Sequence, residues 1–353
     1  MGSITPGMSP ERTSSPTMRD VAAHAEVSPM TVSRTLRGDP RVSPEMRARV
    51  LASVELLRYR RNDVARGLRT GGSSGLLGLV VTNLGNPFYS ELALGVESLA
   101  SVHGLRVVIG NTGGDLDRER QLVDDMASRR VDGIIVVPAG NDHAHLEPAG
   151  LHGLPVVLAT HPPSGVDVDA VVVDDFGGSR SATRALIAQG HRRIGFLGLG
   201  RSMWTGAERL RGFCSALEDA GIPVEDALLR SVAPVTGAAE AVTAELLATA
   251  DPPTALFAAN NRNTLGAYRA IAESGAATAL AGFDDVPLAD LFAAPISVVT
   301  YDTGEVGRRA ATLLLDRIAR AGQPSAHPRL VTVPTTLKDY RPACGPRTTS
   351  APV

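Results

Sequence analysis

The most concentrated chemistry in this sequence is that of arginine. Residues 17 to 70 hold eleven of them (Arg19, Arg34, Arg37, Arg41, Arg47, Arg49, Arg58, Arg60, Arg61, Arg66 and Arg69) against six acids (Asp20, Glu26, Asp39, Glu45, Glu55 and Asp63), a net charge of +5. A guanidinium fork can hold a phosphate, or the paired acceptors on a guanine edge, through two parallel hydrogen bonds. The whole chain carries only -2 and residues 1 to 16 are balanced, so the rest carries -7. A basic head on an acidic body suits a polyanion-binding module joined to something else, although a solvated basic face would read the same on charge alone.

Patterns for catalysis do not close. Gly71-Gly72-Ser73-Ser74-Gly75 satisfies G-x-S-x-G but lacks the strand before it and the helix after it that expose a nucleophile. Gly198-Leu199-Gly200 follows an apolar run, yet Met203 stands where a dinucleotide loop needs its third glycine. His143-x-His145 has metal-ligand spacing without a supporting cysteine or second histidine pair, and reads as surface histidines. Cys214 and Cys344 are too few for a disulfide framework. No enzyme, cofactor or metal is expected.

The elements that must position the arginines are short and sharply punctuated. Thr17 with Asp20 can form a capping box over Met18 to Ala25. Ser28-Pro29 and Ser43-Pro44 each supply an N-cap with proline at the first helical position. Helices are therefore expected from Pro29 to about Arg37 and from Ser43 to about Leu57, the last with Met46, Val50, Val54 and Leu57 on one apolar face. Two short helices joined by a tight turn, the second one basic, make a helix-turn-helix that lays its second helix in the major groove.

The run Asp20-Val21-Ala22-Ala23-His24-Ala25-Glu26-Val27-Ser28-Pro29-Met30-Thr31-Val32-Ser33-Arg34-Thr35-Leu36 resembles the hallmark of the lactose-repressor (LacI) family of bacterial regulators. The resemblance implies base reading by Pro29, Met30 and Arg34, with Thr17, Met18, Thr31, Ser33, Arg37 and Ser43 near bases or phosphates. Tyr59 to Leu68 is similar to the family's hinge helix, which implies Leu68 as a wedge into the minor groove, Asn62 as the cap of the hinge, Arg66 and Arg69 against the DNA backbone and Tyr59 among the DNA-binding residues. Arg61 stands where the family usually has proline, which would loosen the start of that helix.

Beyond the Gly/Ser joint at 71–75, short Val/Ile/Leu runs alternate with helical patterns, about ten strands in all. That rhythm implies parallel sheets covered on both faces. The fold class is α/β: a three-helix helix-turn-helix head and hinge helix, then a periplasmic-binding-protein-like body of two doubly wound subdomains. Expected boundaries are a leader at 1–16, the head at 17–61, hinge and linker at 62–75, the body at 76–340 and a tail at 341–353. Within the body, 76–173 plus 303–326 would form one subdomain, and 174–302 plus 327–340 the other.

Ligands of such sheets bind beyond the carboxyl ends of the strands. The resemblance, carried by Asn86-Pro87-Phe88-Tyr89, Val131 to Ile135, Gly190 to Ile194, Arg209-x-x-Gly212-Phe213, Asn260 and Gly282 to Asp285, implies an effector between the subdomains. Phe88, Tyr89 and Trp204 would give aromatic walls, Arg209, Asn260 and Asp284 a polar clamp, with Thr160 and Tyr301 beside them. Thr160-His161 and Asn261 replace aspartates common in the family, which weakens recognition through paired carboxylates and leaves both a sugar-like metabolite and a nucleobase open. The expected partners are near-palindromic double-stranded operator DNA, a small-molecule effector and a second copy in a homodimer. Hydrophobic residues are 43% and charged residues 20%. No apolar run reaches the roughly 18 residues that span a bilayer, and Met1 to Pro16 lacks a signal-peptide core, so no membrane contact and a cytoplasmic location are expected. A transport-associated solute-binding protein would share the body but have no use for residues 17 to 70.

Overall fold

The computed structural model describes residues 16–59, 73–199, 203–321 and 327–341. It divides after Ser74 into two compact units.

In the head, α1 (Met18–His24), α2 (Pro29–Leu36) and α3 (Pro44–Leu56) begin where the caps place them. Asp20 Oδ2 accepts from the Thr17 amide at 2.7 Å, while the hydroxyl oxygens of Ser28 and Ser43 accept from the amides of Thr31 (3.1 Å) and Met46 (3.3 Å). α1 ends in a Schellman turn: the Val27 amide donates to the Ala22 carbonyl and the Glu26 amide to that of Ala23. Glu26 takes the left-handed conformation there, φ 53°. Val21, Ala22, Ala25, Val32 and Val50 form the small core, with Met18, Val27, Leu36, Val54, Leu57 and Tyr59 packed around it. Met46, expected on the apolar face of α3, is exposed instead, because the core is closed by the turn above it at Val50.

The body contains two six-stranded sheets. The first runs in the order β2 (Arg106–Asn111), β1 (Leu76–Val81), β3 (Gly133–Val136), β4 (Val156–Ala159), β5 (Asp169–Val173), β11 (Leu330–Val333), all parallel. The second repeats that order with β7 (Leu229–Ser231), β6 (Ile194–Gly198), β8 (Ala255–Ala258), β9 (Ala279–Phe283), β10 (Ile296–Thr300) and β12 (Thr336–Tyr340), the last antiparallel to β10. Nearly every residue of β1, β3, β4, β5, β6, β8 and β9 is buried, as a sheet covered on both faces requires. The assignment of all of 327–340 to the second subdomain is corrected at β11. Asp169, fully buried at the start of β5, accepts from the Arg329 amide (2.7 Å) and from the guanidinium groups of Arg317 and Arg329, which draws the segment before β11 onto the first sheet.

The chain thus crosses between subdomains three times, at 174, at 301–302 and at 334–335. α4 (Pro87–Val102) and α10 (Thr303–Ala319) lie against each other beside the first sheet. A Cβ on Gly95 would collide with the Gly304 carbonyl, and one on Gly307 with that of Leu92, so these helices touch backbone to backbone. α5 (Leu116–Ser128) completes this subdomain. α6 (Asp175–Ala188), α7 (Trp204–Asp219), α8 (Thr236–Leu247) and α9 (Asn261–Ser274) belong to the second.

Candidate DNA-reading face and ligand cavity

On the head, α2 buries Val32 and Thr35 and packs Leu36 against the core, which leaves its opposite face outward. Met30 is 58% exposed, and Pro29, Arg34 and Arg37 are exposed. Thr31 and Ser33 are half-buried; the Thr31 hydroxyl lies 2.9 Å from that of Ser28, and Arg37 Nε donates to the Ser33 carbonyl at 3.2 Å. Thr17 and Ser43 are exposed and act as caps, whereas Met18 and Tyr59 pack on the core. Asn62, Arg66 and Leu68 lie outside the described residues.

In the body, a cavity of about 360 Å³ opens at the carboxyl ends of both sheets. From the first subdomain it takes Thr82, Asn86, Phe88 and Tyr89 after β1, Gly113 and Gly114 after β2, Val137 to Ala139 after β3, and Thr160 and His161 after β4. From the second come Met203, Thr205, Gly206 and Arg209, with Asn260 after β8 and Asp284 after β9; Asp175 and Tyr301 come from two of the crossings. The volume fits a small metabolite.

Arg209 organises the wall. Its Nε donates to Asp175 Oδ1 (2.7 Å), Nη1 to the Ala259 carbonyl (2.6 Å) and Asp284 Oδ2 (3.1 Å), and Nη2 to Asp284 Oδ1 (3.2 Å). Its guanidinium carbon sits 3.7 Å from the centre of the Phe283 ring. Burial alone would lower its pKa, but Asp284 and Asp175 more than reverse that, so it stays charged. Tyr301 donates to Asp284 Oδ1 at 2.8 Å, and burial followed by that carboxylate pushes its phenol well up. Burial pushes Asp175 up to about 7 against the pull of Arg209. Asn260 caps α9, its Oδ1 accepting from the Asn263 amide at 2.9 Å, which leaves its Nδ2 for the cavity.

Across the cleft, Asn86 and Asn261 exchange amide hydrogen bonds of 3.1 and 2.8 Å, and Arg262 donates to the Gly85 carbonyl. The Trp204 amide donates to Asn141 Oδ1 at 3.2 Å. The subdomains are therefore bonded directly to each other over the cavity.

Seven of the eight expected effector residues line this space: Phe88, Tyr89, Thr160, Arg209, Asn260, Asp284 and Tyr301. Trp204 stands one step back, its ring centre 6.2 Å from that of His161. His143 and His145 are not surface histidines. His143 is 2% exposed, its Nδ1 accepting from the Ser164 amide and its Nε2 donating to the Gly140 carbonyl. His145 Nε2 meets Glu119 at 2.9 Å, and Glu119 also accepts from the Ala139 amide, so both histidines brace the loop after β3. Sequence reasoning missed Asp175 as a wall residue, since its role depends on Arg209, 34 positions away.

With that geometry in hand, the comparisons with known proteins are direct. Residues 17–62 match the model of the bacterial regulatory proteins of the lacI family, and residues 74–340 match that of the periplasmic binding proteins and sugar-binding domain of the LacI family. The chain belongs to the LacI family and is a DNA-binding transcriptional regulator, not an enzyme. It is 31% identical over 310 residues to catabolite control protein A of Priestia megaterium, covering 85% of this chain and 93% of that protein. A transcriptional regulator CelR–cellobiose complex is similar with a TM-score of 0.68 and 31% identity, over 92% of this chain and 98% of its own. The lac repressor dimer bound to operator and the anti-inducer ONPF is similar with a TM-score of 0.77 and 26% identity, over 91% and 97%.

Proposed function

We propose that this regulator is a cytoplasmic homodimeric repressor that reads a near-palindromic operator through the outward face of α2, and that a sugar or related metabolite in the body cavity sets its grip. The observation that carries the reading is the pairing, in one chain, of a capped helix-turn-helix presenting Arg34 and Met30 with a cavity walled by Arg209, Asp284 and Phe88. Pro29, Met30 and Arg34 read base edges, the first two by apolar contact alone, and Thr17, Met18, Thr31, Ser33, Arg37 and Ser43 lie near bases or phosphates. Residues 62–75 serve as hinge and linker, where Leu68 enters the minor groove, Asn62 caps the hinge helix and Arg66 meets the DNA backbone, with Tyr59 beside them at the DNA. The sugar class is supported by relatives solved with cellobiose and ribose, and the dimer by the lac repressor dimer on its operator. The location is supported by the absence, among the described residues, of any helix long and apolar enough to cross a membrane.

The test is an anisotropy titration of the purified protein against DNA from upstream of its own gene and against random duplex, over a salt series. Specific binding is expected with an affinity that falls linearly on a log–log salt scale. Arg34→Ala is expected to lose roughly 1–3 kcal/mol of preference for the matched base. An Arg34→Ala protein with unchanged preference removes that residue from base reading, and no DNA binding at low salt removes the reading as a whole.

A further inference from the structure

The head has little apolar material with which to fix its own geometry. Its buried core is made of Val21, Ala22, Ala25, Val32 and Val50, with no side chain larger than valine fully enclosed. A core that small sets the direction of α2 only loosely, whereas a bidentate base contact from Arg34 needs its geometry held closely.

Polar ties from α3 supply what the core lacks. Arg49 Nη2 donates to the Ala25 carbonyl, and more weakly to that of Glu26 at 3.4 Å, with the Glu26 carboxylate 3.8 Å away. These carbonyls stand at and just beyond the C-cap of α1, where no amide of the helix can reach them. One turn on, Ser53 is 3% exposed and spends its hydroxyl proton on the Arg49 carbonyl at 2.9 Å, so its oxygen accepts from His24 Nδ1 at 2.9 Å. Both ties run from α3 to the end of α1 and the turn of Glu26 and Val27 that leads into the Ser28 cap of α2. A half-exposed arginine on a basic head reads by default as a phosphate contact, but the bonds of Arg49 face inward. Arg41 and Arg47 are committed to the head in the same way, the first paired with Asp39 at 2.8 Å and the second donating to the Asp39 carbonyl at 2.9 Å.

We propose that Arg49, backed by Ser53, is a positioning residue for base reading: it grips the turn that launches α2 and makes no contact with DNA itself. This role presupposes that α2 is the base-reading helix. Contacts to phosphates tolerate small shifts that a bidentate contact to a base edge does not, so release of the brace costs specific binding and spares non-specific binding.

The test uses the full-length protein and a duplex that the parent selects from a random-sequence pool, set against an unselected random duplex. Fluorescence anisotropy is measured over a salt series, well below the melting transition. Arg49→Met keeps the apolar stem and a good helix former but removes the donors. It is expected to lower the preference for the selected duplex about tenfold, with the affinity for random duplex and the salt slope unchanged, because no phosphate contact is lost. Arg49→Lys, which returns a donor to the turn, is expected to recover most of the preference, and Ser53→Ala to lower it in the same direction as Arg49→Met. A salt slope shallower by about 0.9, with equal loss on both duplexes, is the signature of a phosphate contact and overturns the role. An unchanged preference overturns it too, with or without a lowered melting temperature, since a residue that only stabilises the head leaves the folded head reading as before. Should Arg49→Met not fold, Ser53→Ala decides on the same readings. A parent that selects no duplex removes the base-reading helix itself and this inference with it.

Discussion

At the scale of single residues, the cavity holds two ionisable groups displaced in opposite directions by the same cause. Burial pushes Asp175 up to about 7 and His161 down to about 3. An unfolded aspartate loses its proton near pH 4. Between about pH 4 and 7 the folded protein therefore holds a proton on Asp175 that the unfolded chain has released, and stability falls as pH rises. An unfolded histidine gains its proton near pH 6.5, whereas folded His161 refuses it until about pH 3. Across that window stability rises with pH. The two effects oppose each other between about pH 4 and 6.5. In melting curves from pH 4.5 to 7.5, Asp175→Asn minus parent is expected to climb with pH, and His161→Phe minus parent to decline. Parallel difference curves would remove the opposed pair. The groups facing it, Arg209, Asp284, Glu208, Tyr301 and His143, are present in both variants and enter the comparison only through their coupling to the replaced group.

At the scale of elements, what was legible in the sequence is what the chain decides locally. Thr17, Ser28 and Ser43 were readable as helix starts because a cap bonds to an amide two or three residues on. In the body the helix starts are less plainly marked: α6 begins at Asp175 and α9 at Asn261. The first turn of α9 (Asn261 to Thr264) is polar and that of α6 contains Gly177 and Gly178, so the apolar period becomes readable only after each helix has begun. Strand β11, the Asn86–Asn261 pair and the burial of His143 depend on partners far away in sequence, which no window contains. The α4–α10 contact is of the same kind, and it can be broken singly. Gly307→Ala puts a methyl into the Leu92 carbonyl and is expected to cost about 1–3 kcal/mol through forced separation of the helices. Chemical denaturation measures it; a variant as stable as the parent would mean that the contact relaxes freely.

At the scale of the whole molecule, the cavity and the crossings between the subdomains draw on neighbouring residues. Asp175, directly after the crossing at 174, bonds Arg209, and Tyr301, in the crossing at 301–302, bonds Asp284, so both reach the Arg209–Asp284 pair. A ligand that changes the hydrogen bonding of this cluster would act on the segments that join the subdomains. The cross-cleft bonds of Asn86 with Asn261 and of Asn141 with Trp204 would break if the cleft opened, so they favour the arrangement seen here. Any preference of the ligand for one arrangement then appears as a changed affinity for DNA, by an amount limited to its differential affinity for the two arrangements.

The most direct test of that linkage is the DNA affinity of the full-length protein with and without a saturating concentration of the sugar that binds it, measured by fluorescence anisotropy at one salt concentration. A coupling of the usual size changes the affinity about 5- to 150-fold, and by reciprocity the sugar's own affinity for the DNA-bound protein changes by the same factor. A sugar that fills the cavity and leaves the DNA affinity unchanged would contradict the account.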